Sequence, residues 1–308
     1  MSKVLKKKLV SIVITTKNEE KHIETCLKSI ASQNYDNIEI IVVDNYSDDK
    51  TIEIALKYTP KVYSKGPERS AQRNFGMIEI AIGDYVMYVD ADMILSPELI
   101  TSCVKEIERT GSMALYISEI ILGTTFWCKV RRFERKFYDA TVIDSARFFK
   151  KSVFSLVGGF DEKIDFGEEW DIDKEIKKYG TISLLGHRIQ NTQQNWSLSK
   201  YIERLGINRP AAQNVIYHNE SEFKVKAYIK KKGEYAKGFG KYIKKWGLKD
   251  PDLKKQFGLV YRYFIVFFEK GKWKMAVQQI HLFSGMFFLR FCVGIKFLQN
   301  RQKEMFKK

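Results

Sequence analysis

Cysteine is scarce in this sequence of 308 residues, and the motifs that cysteines usually form are missing. The chain contains four widely separated cysteines: Cys26, Cys103, Cys128 and Cys292. No Cys-x-x-Cys pair suggests a zinc site, and the spacing does not suggest the disulfide framework of a small secreted protein. The cysteines therefore predict a protein of the reducing cytosol.

Glycine-rich phosphate-binding motifs are missing as well. No Gly-x-Gly-x-x-Gly motif follows the first predicted strand, and no glycine-rich loop ends in Gly-Lys-Ser or Gly-Lys-Thr. These motifs make the phosphate contacts of dinucleotide-binding domains and of P-loop nucleotidases. The sequence argues against both classes, so a bound diphosphate would need metal ions and basic side chains.

The chain also lacks a long uninterrupted apolar run. The basic start, Met1–Lys8, leads into a strand pattern and has neither the length nor the cleavage site of a signal peptide. A membrane-spanning helix needs about 20 mainly apolar residues. The run 257–268 is shorter, and Met275–Leu298 is interrupted by polar residues that include Arg290 and Lys296. These segments predict interfacial helices rather than spanning ones.

Positive charge is concentrated in one part of the chain. The net charge is +16. Residues 221–308 hold 22 Lys and Arg against 6 Asp and Glu, whereas residues 1–220 hold 31 of each kind. A localised positive surface of this size implies an anionic partner, such as lipid headgroups, nucleic acid or phosphates.

Strand and helix patterns alternate over the first part of the chain. Short apolar runs at Leu9–Ile14, Ile38–Val43 and Tyr85–Val89 indicate buried strands, with helical periodicity between them. This alternation is typical of a parallel, doubly wound α/β sheet. Met113–Ile121 is predicted to be one further strand. The aromatic and basic residues 123–140 are expected to form an exposed loop or a segment that covers the site.

Polar side chains follow the predicted strands at the edge where such sheets bind ligands. Thr15–Glu19, Asp44 and the pair Asp90 and Asp92 occupy these positions. Residues i and i+2 of an extended chain point the same way, so both aspartates can face one point. Two carboxylates suit Mg²⁺ or Mn²⁺, which would in turn hold a diphosphate. The alternative is an ordinary acidic turn.

Two arginines of the third predicted helix are candidates for contacts with that diphosphate. Arg69 and Arg73 are four residues apart, so they share one face of the helix. Arginine donates hydrogen bonds in pairs to phosphate oxygens. The alternative is a solvated helix face.

Three stretches carry the most specific pattern in the chain: Ser11–Glu19 (SIVITTKNE), Val42–Thr51 (VVDNYSDDKT) and Asp90–Asp92 (DAD). In residues, order and spacing they resemble the family 2 glycosyltransferases of the GT-A fold, over residues 8–182. The resemblance implies a mostly parallel α/β sheet flanked by helices and a nucleotide-sugar donor. It also implies a divalent cation, Mg²⁺ or Mn²⁺.

The resemblance also assigns roles to individual residues. Asp44 would read the base, although Asn45 and Tyr46 replace the second Asp and the Gly of the usual Asp-Asp-Gly-Ser pattern and leave the base unidentified. Asp92 would bind the metal, and Asp90 would reach the ribose or the metal. The whole set expected to bind the donor nucleotide is Thr15, Thr16, Asn18, Glu19, Asp44, Ser47, Arg69, Arg73 and Asp90.

A second acidic cluster, Gly167–Ile172 (GEEWDI), resembles the family's Gly-Glu-Asp-x-Asp motif. Transfer with inversion needs a carboxylate that takes the proton of the acceptor hydroxyl. Glu169 occupies the position of that base, and Glu168, Asp171 and Asp173 could serve instead. The alternative is an acidic first helical turn stabilised by the helix dipole.

His218 is the remaining candidate ligand. It lies in Val215–Glu220, which resembles a family segment whose histidine can contact the metal or the diphosphate; the alternative is a structural histidine. We predict an insertion at residues 186–213, with one helix near Leu198–Leu205. His187 lies in this insertion.

Residues 221–308 are predicted to be a basic, amphipathic helical region beyond a catalytic domain at residues 1–220. Lysines alternate with aromatic residues over Phe223–Trp246. This combination favours attachment to an anionic membrane surface, at its cytoplasmic face. The alternative is that these helices pack on the catalytic domain with their charges solvated.

Taken together, the residues and the resemblance predict a metal-dependent, inverting glycosyltransferase. The expected partners are a nucleotide-sugar donor and a glycan or polyprenyl-linked acceptor. A second possibility is a polyprenyl-phosphate sugar synthase, whose acceptor is already ionised. A basic nucleic-acid-binding protein and an inactive nucleotide-sugar sensor are further alternatives, but no RNA-binding motif is present and no nucleic acid is expected.

Overall fold

The computed structural model describes residues 7–186, 188–189, 196–207 and 212–305. The strands are β1 Val10–Thr16, β2 Ile38–Asp44, β3 Val62–Ser64, β4 Tyr85–Asp90, β5 Met93–Leu95, β6 Ala114–Ile117, β7 Glu119–Leu122, β8 Ala146–Lys150, β9 Ile182–Leu185, β10 Arg188–Ile189, β11 Ala212–Gln213 and β12 Ile216–Asn219. The helices are α1 Ile23–Ala31, α2 Thr51–Ala55, α3 Arg69–Asn74, α4 Leu99–Thr110, α5 Phe126–Arg135, α6 Lys151–Leu156, α7 Glu168–Lys177, α8 Ser199–Arg204, α9 Val225–Gly238, α10 Gly240–Trp246, α11 Pro251–Phe257, α12 Val266–Phe268, α13 Trp273–Gln278 and α14 Ile280–Met305.

The predicted α/β fold is confirmed by a seven-stranded sheet of order β3-β2-β1-β4-β8-β6-β9. β1 pairs in parallel with β2 and β4, whereas β8 runs antiparallel to β4 and β6. The register sets Thr15 beside Asp90 and Thr16 beside Asp44. The polar ends of β1, β2 and β4 therefore meet at one edge of the sheet, as parallel strands require.

A second sheet, of order β5-β12-β7, lies beyond that edge. The prediction of one strand over Met113–Ile121 is wrong, because the chain changes sheet at Ser118. The Ser118 carbonyl accepts a hydrogen bond from Ile216 N (3.1 Å), and β7 then pairs in parallel with β12. β12 pairs on its other side with β5, which sets His218 opposite Met93, the residue after Asp92.

Apolar side chains fill both faces of the large sheet. Ile12 and Ile14 of β1 pack under α1 and α4, and Val13 packs on the opposite face. On that face α3 continues into a π-helical turn, Phe75–Ile80, where the sequence predicted one helix. Gly76 allows this close approach, since an added Cβ would lie 2.4 Å from Val13 Cγ1.

Residues 123–140 are mostly helical, so the prediction of an exposed loop there is wrong. α5 begins at its cap Thr125, whose hydroxyl accepts a hydrogen bond from Cys128 N (3.2 Å). Val130 and Phe133 are buried in a core shared with α14. The helix is stabilised by apolar residues more than a hundred positions later in the chain.

The C-terminal helices pack on the rest of the molecule, as the alternative interpretation expected. α14 contacts α9 and α5, and Lys245 and Trp246 of α10 bind Asp171 of α7. Among the described residues, Ile280–Asn300 has the length and composition of a membrane-crossing helix, with 17% of that window buried.

The helix predicted in the insertion is confirmed as α8, which packs through Ile202 against Tyr217 of β12. His187 and the ranges 190–195 and 208–211 lie outside the described residues.

Candidate active site

The predicted nucleoside-binding residues form one hydrogen-bonded group at the ends of β1 and β2. Asp44 is fully buried and accepts hydrogen bonds from Thr16 Oγ1 (2.7 Å) and from Ser47 N and Oγ (2.7 and 2.6 Å). Asn18 N donates to Ser47 Oγ (2.7 Å). The two loops thereby hold each other in place beside Thr15, which pairs with Asp90 in the sheet.

Glu19 belongs to the same edge and faces the aspartate pair. Burial and the carboxylates of Asp92 and Asp90 raise the pKa of Glu19 to about 7. Three acidic side chains thus share one region, and their mutual repulsion favours a cation between them.

Asp90 is paired with two arginines. Its Oδ1 lies 3.1 Å from Arg73 Nη2, and its Oδ2 lies 3.7 Å from Arg147 Nη1. Burial opposes ionisation, but the two guanidinium groups outweigh it and hold the pKa of Asp90 well below its usual value. Asp90 is therefore an ionised carboxylate whose oxygens already have cationic partners.

Arg73 joins the two acidic clusters that the sequence analysis singled out. Its side chain is fully buried, and its guanidinium carbon lies 4.1 Å from the centre of the Tyr88 ring. Nη2 binds Asp90, and Nη1 binds Glu169 Oε1 (3.1 Å). The alternative of a solvated helix face is therefore wrong for Arg73, whereas Arg69 is half-exposed and lies 3.7 Å from Glu168.

Asp92 and His218 form the part of the site that suits a divalent cation. His218 Nε2 lies 3.2 Å from Asp92 Oδ2, and the buried Asp92 Oδ1 has no hydrogen-bond partner among the described residues. Burial lowers the pKa of His218, but Asp92 and Glu119 outweigh it and raise that pKa to about 10. Within the described ranges no three His, Cys, Asp or Glu side chains form a metal-binding group, so two protein ligands would be completed by phosphate and water.

Glu168 and Glu169 begin α7, directly after Gly167, whose φ of 93° favours glycine. Burial and the adjacent Glu169 raise the pKa of Glu168 to about 7. Burial also opposes ionisation of Glu169, but Arg73 and Arg69 outweigh it and keep the pKa of Glu169 below its usual value. The two neighbouring acids therefore differ, and Glu169 is the ionised one at neutral pH.

Asp171 and Asp173, the other candidate bases, have different neighbours. Asp171 is 1% exposed and accepts hydrogen bonds from Trp246 Nε1 (2.7 Å) and Lys245 Nζ (2.8 Å). Asp173 is buried and accepts from the backbone nitrogen of Ala146 (3.2 Å). Both side chains thus connect α7 to other elements, while Glu168 and Glu169 bind the arginines of the site.

The sequence analysis missed Glu119 and Arg147. Arg147 Nη2 lies 2.7 Å from Glu119 Oε1, and the other Glu119 oxygen lies 3.7 Å from His218 Nδ1. Both residues are charged positions within short apolar strands, which is the signal that could have identified them. They connect the metal-binding side of the site to Asp90.

Comparison with known proteins finds similarity to glycosyltransferases. A family model described as glycosyl transferase family 2 matches residues 11–156. The hyaluronan synthase of Pasteurella multocida is 24% identical over 239 residues, which cover 70% of this chain and 24% of the relative. Glycosyltransferase GlyA of Streptococcus pneumoniae is 25% identical over 240 residues, 74% of this chain and 31% of the relative. The chain thus spans less than a third of either relative.

Solved structures show the same fold. The mannosyltransferase of Pyrobaculum calidifontis in complex with GDP-Man and Mn²⁺ has a TM-score of 0.57 and 16% identity, covering 95% of this chain and 87% of its own. TarS of S. aureus in complex with UDP-GlcNAc has a TM-score of 0.51 and 16% identity, covering 97% of this chain and 92% of its own. These likenesses confirm the predicted GT-A architecture.

Proposed function

We propose that the chain is a member of glycosyl transferase family 2, whose family model matches residues 11–156, and that it transfers a sugar from a nucleotide-sugar donor to an acceptor hydroxyl, with inversion. The observation that carries the proposal is the link Asp90–Arg73–Glu169. It joins the strand-end aspartates to the acidic helix start with distances of 3.1 Å on each side. A donor diphosphate and a base for the acceptor would thereby lie side by side.

The nucleoside would bind at Thr15, Thr16, Asn18, Glu19, Asp44 and Ser47, with Arg69 near the diphosphate. Asp92 and His218 would hold Mg²⁺ or Mn²⁺, which the unpartnered Asp92 Oδ1 supports. When bound, the cation would offset the charge of the departing nucleoside diphosphate. Asp90 would stay paired with its arginines and face the ribose.

Glu169 is the proposed base. Its ionised carboxylate would accept the proton of the acceptor hydroxyl while that oxygen bonds to the anomeric carbon and the diphosphate oxygen leaves. Arg73 would fix the orientation of Glu169. If the acceptor is instead a lipid phosphate, as in a polyprenyl-phosphate sugar synthase, no proton has to be removed and Glu169 matters little.

We place the protein at the cytoplasmic face of a membrane, with residues 1–220 as the catalytic domain and residues 221–308 as the attaching region. Exposed apolar side chains on the C-terminal helices support this, together with the excess of Lys and Arg there. The acceptor would be lipid-linked or a surface glycan. No nucleic-acid partner is proposed.

A thermal-shift screen of UDP-, GDP- and dTDP-sugars with and without Mn²⁺ tests the proposal. Ligand binding to the folded state raises Tm, so we expect one donor class to shift it, and only with Mn²⁺. Asp92→Ala should remove the Mn²⁺-dependent shift and all sugar transfer, whereas Asp36→Ala, an exposed control outside the site, should not. Absence of a shift with every donor would contradict the proposal. Transfer that persists in Asp92→Ala would leave the metal without a role.

A further inference from the structure

One face of α9 lines the approach to the acidic helix start. Tyr228, Lys232 and Tyr235, and Phe239 just after the helix, follow helical spacing and share this face. Tyr235 stacks on Phe166, which precedes Gly167, with ring centres 4.2 Å apart. Phe239 stacks on Trp170 at 5.6 Å. This end of the face therefore lies beside Glu168 and Glu169.

The other end of the face lies beside the metal-binding side of the site. The ring of Tyr228 is 4.8 Å from the guanidinium carbon of Arg131. Arg131 in turn binds Glu220 (3.1 Å), two residues after His218. The middle of the face, where Lys232 is located, thus lies between the proposed metal ligands and the proposed base.

Lys232 is a half-buried lysine for which the described part of the chain provides no ion-pair partner. Its Nζ lies 4.6 Å from the Tyr235 ring centre and 5.7 Å from that of Tyr228. No carboxylate of the described residues lies within ion-pair distance of it, in contrast to Arg131. Burial and the charges of Arg131, Lys231 and Arg262 lower the pKa of Lys232 to about 7. The carboxylate of Glu134 acts in the opposite direction, but it already binds Arg131 and Arg290.

The surroundings favour one kind of anion. Arg262 is half-buried, and the side chains of Phe264 and Ile265 that follow it are 59% and 47% exposed. An apolar surface therefore begins next to Lys232. A phosphate attached to a long apolar chain would satisfy both features at once, because the phosphate meets the cations and the chain covers the apolar surface.

We propose that Lys232, with Arg262, binds a phosphate group carried by a lipid-linked acceptor. The proposal rests on the acceptor site of the proposed function, because the face of α9 that carries Lys232 also contacts Phe166 and Trp170, on either side of Glu168 and Glu169. The phosphate either links the acceptor sugar to its lipid or is itself the acceptor.

Binding of farnesyl phosphate, with farnesol as its uncharged counterpart, tests the proposal by calorimetry on the full chain. We expect Lys232→Met to weaken farnesyl phosphate binding at least about tenfold, the effect of losing one charged hydrogen-bond partner. Lys232→Arg should retain most of the affinity. Lys230→Met, on the exposed side of α9, should match the wild type, and farnesol should not distinguish the variants.

Equal binding of farnesyl phosphate to the wild type and Lys232→Met would overturn the proposal, as would an equal loss with Lys230→Met. If Lys232→Met does not fold, Arg262→Gln tests the same site, and unchanged affinity would again overturn it. The measurement needs neither donor nor transfer, so its failure is distinct from failure of the donor screen. If the phosphate is itself the acceptor, both the wild type and Glu169→Gln will transfer sugar to farnesyl phosphate; if it is a linker, neither will, because farnesyl phosphate carries no sugar hydroxyl.

Discussion

Arg73 shows how a single side chain relates the chemistry of two distant motifs. It is fully buried against Tyr88 and binds one oxygen each of Asp90 and Glu169. A guanidinium group cannot lose its proton at physiological pH, so it keeps both carboxylates ionised. The proposed base is thereby held in its reactive form and in a fixed orientation.

Replacing the base should separate chemistry from donor binding. We expect Glu169→Gln to lower kcat by roughly 10²–10⁴-fold, the usual contribution of a positioned general base. The Kd of the donor should change little, because the nucleoside-binding residues are on other elements. Steady-state kinetics and donor titration measure both quantities.

The pH profile identifies which of the two glutamates acts. The pKa of Glu169 is below its usual value, so kcat/KM should be flat between about pH 6 and 8. The pKa of Glu168 is raised to about 7. A loss of activity below about pH 7, together with a loss of kcat in Glu168→Gln at least as large as in Glu169→Gln, would therefore move the catalytic role to Glu168.

Glu119 should orient the proposed metal ligand His218. Its Oε2 lies 3.7 Å from His218 Nδ1, leaving Nε2 for the cation. We expect Glu119→Gln to weaken Mn²⁺ binding about 10–100-fold, as measured by the EPR signal of free Mn²⁺. The exposed Glu53→Gln is the matched control. Unchanged Mn²⁺ affinity in Glu119→Gln would mean that Glu119 does not orient His218 and only forms its ion pair with Arg147.

At the scale of elements, different residues of α7 belong to the active site and to its contacts with neighbouring elements. Its first turn carries Glu168 and Glu169, while Asp171 binds α10 and Asp173 binds the start of β8. β8 carries Arg147, the partner of Asp90. The position of the catalytic turn thus depends on contacts that α7 makes with two other elements.

Asp173 makes one of these contacts sensitive to pH. Burial raises the pKa of Asp173 to about 8, whereas an unfolded aspartate titrates near about 3.9. The contribution of Asp173 to the free energy of unfolding is complete below the pKa that the group has in the unfolded chain. It is lost as the pH rises through the pKa that the group has in the folded protein, by up to about 1.4 kcal/mol per pH unit. Asp173→Asn should reduce this slope in urea unfolding between about pH 5 and 8, whereas the exposed Asp36→Asn should not. An unchanged slope in Asp173→Asn would mean that Asp173 is ionised in the fold.

Local patterns made the strands and their terminal aspartates predictable, because strand period and strand-end position are properties of a few adjacent residues. The pair Arg147–Glu119 was not predictable in the same way, since it forms only when β8 and β7 come together. α5 was missed although Val130, Phe133 and Phe137 have helical spacing. Its many basic residues suggested a solvent-exposed segment, and its partner helix α14 is far away in the sequence.

At the scale of the whole molecule, α14 is apolar on its exposed side as well as on its buried side. Met286 and Leu289 are buried, whereas Phe288, Phe291 and Leu298 are each more than half exposed. An apolar exterior face suits a helix that contacts lipid. α10 is tied to α7 by ion pairs, so attachment through this region would also orient the active site.

Membrane binding should therefore need both the apolar face and the charge. We expect the wild type to sediment with vesicles of phosphatidylglycerol and phosphatidylcholine, and less with phosphatidylcholine alone or at high salt. The double variant Phe288→Ser with Phe291→Ser should bind at least about 100-fold less, because each buried phenylalanine contributes roughly 1.5–3 kcal/mol. Leu56→Ser, equally exposed on the catalytic domain, should bind as the wild type does. Unaltered sedimentation of the double variant would contradict a role for the apolar face of α14, and full competition by single-stranded RNA would assign the basic surface to a nucleic acid instead.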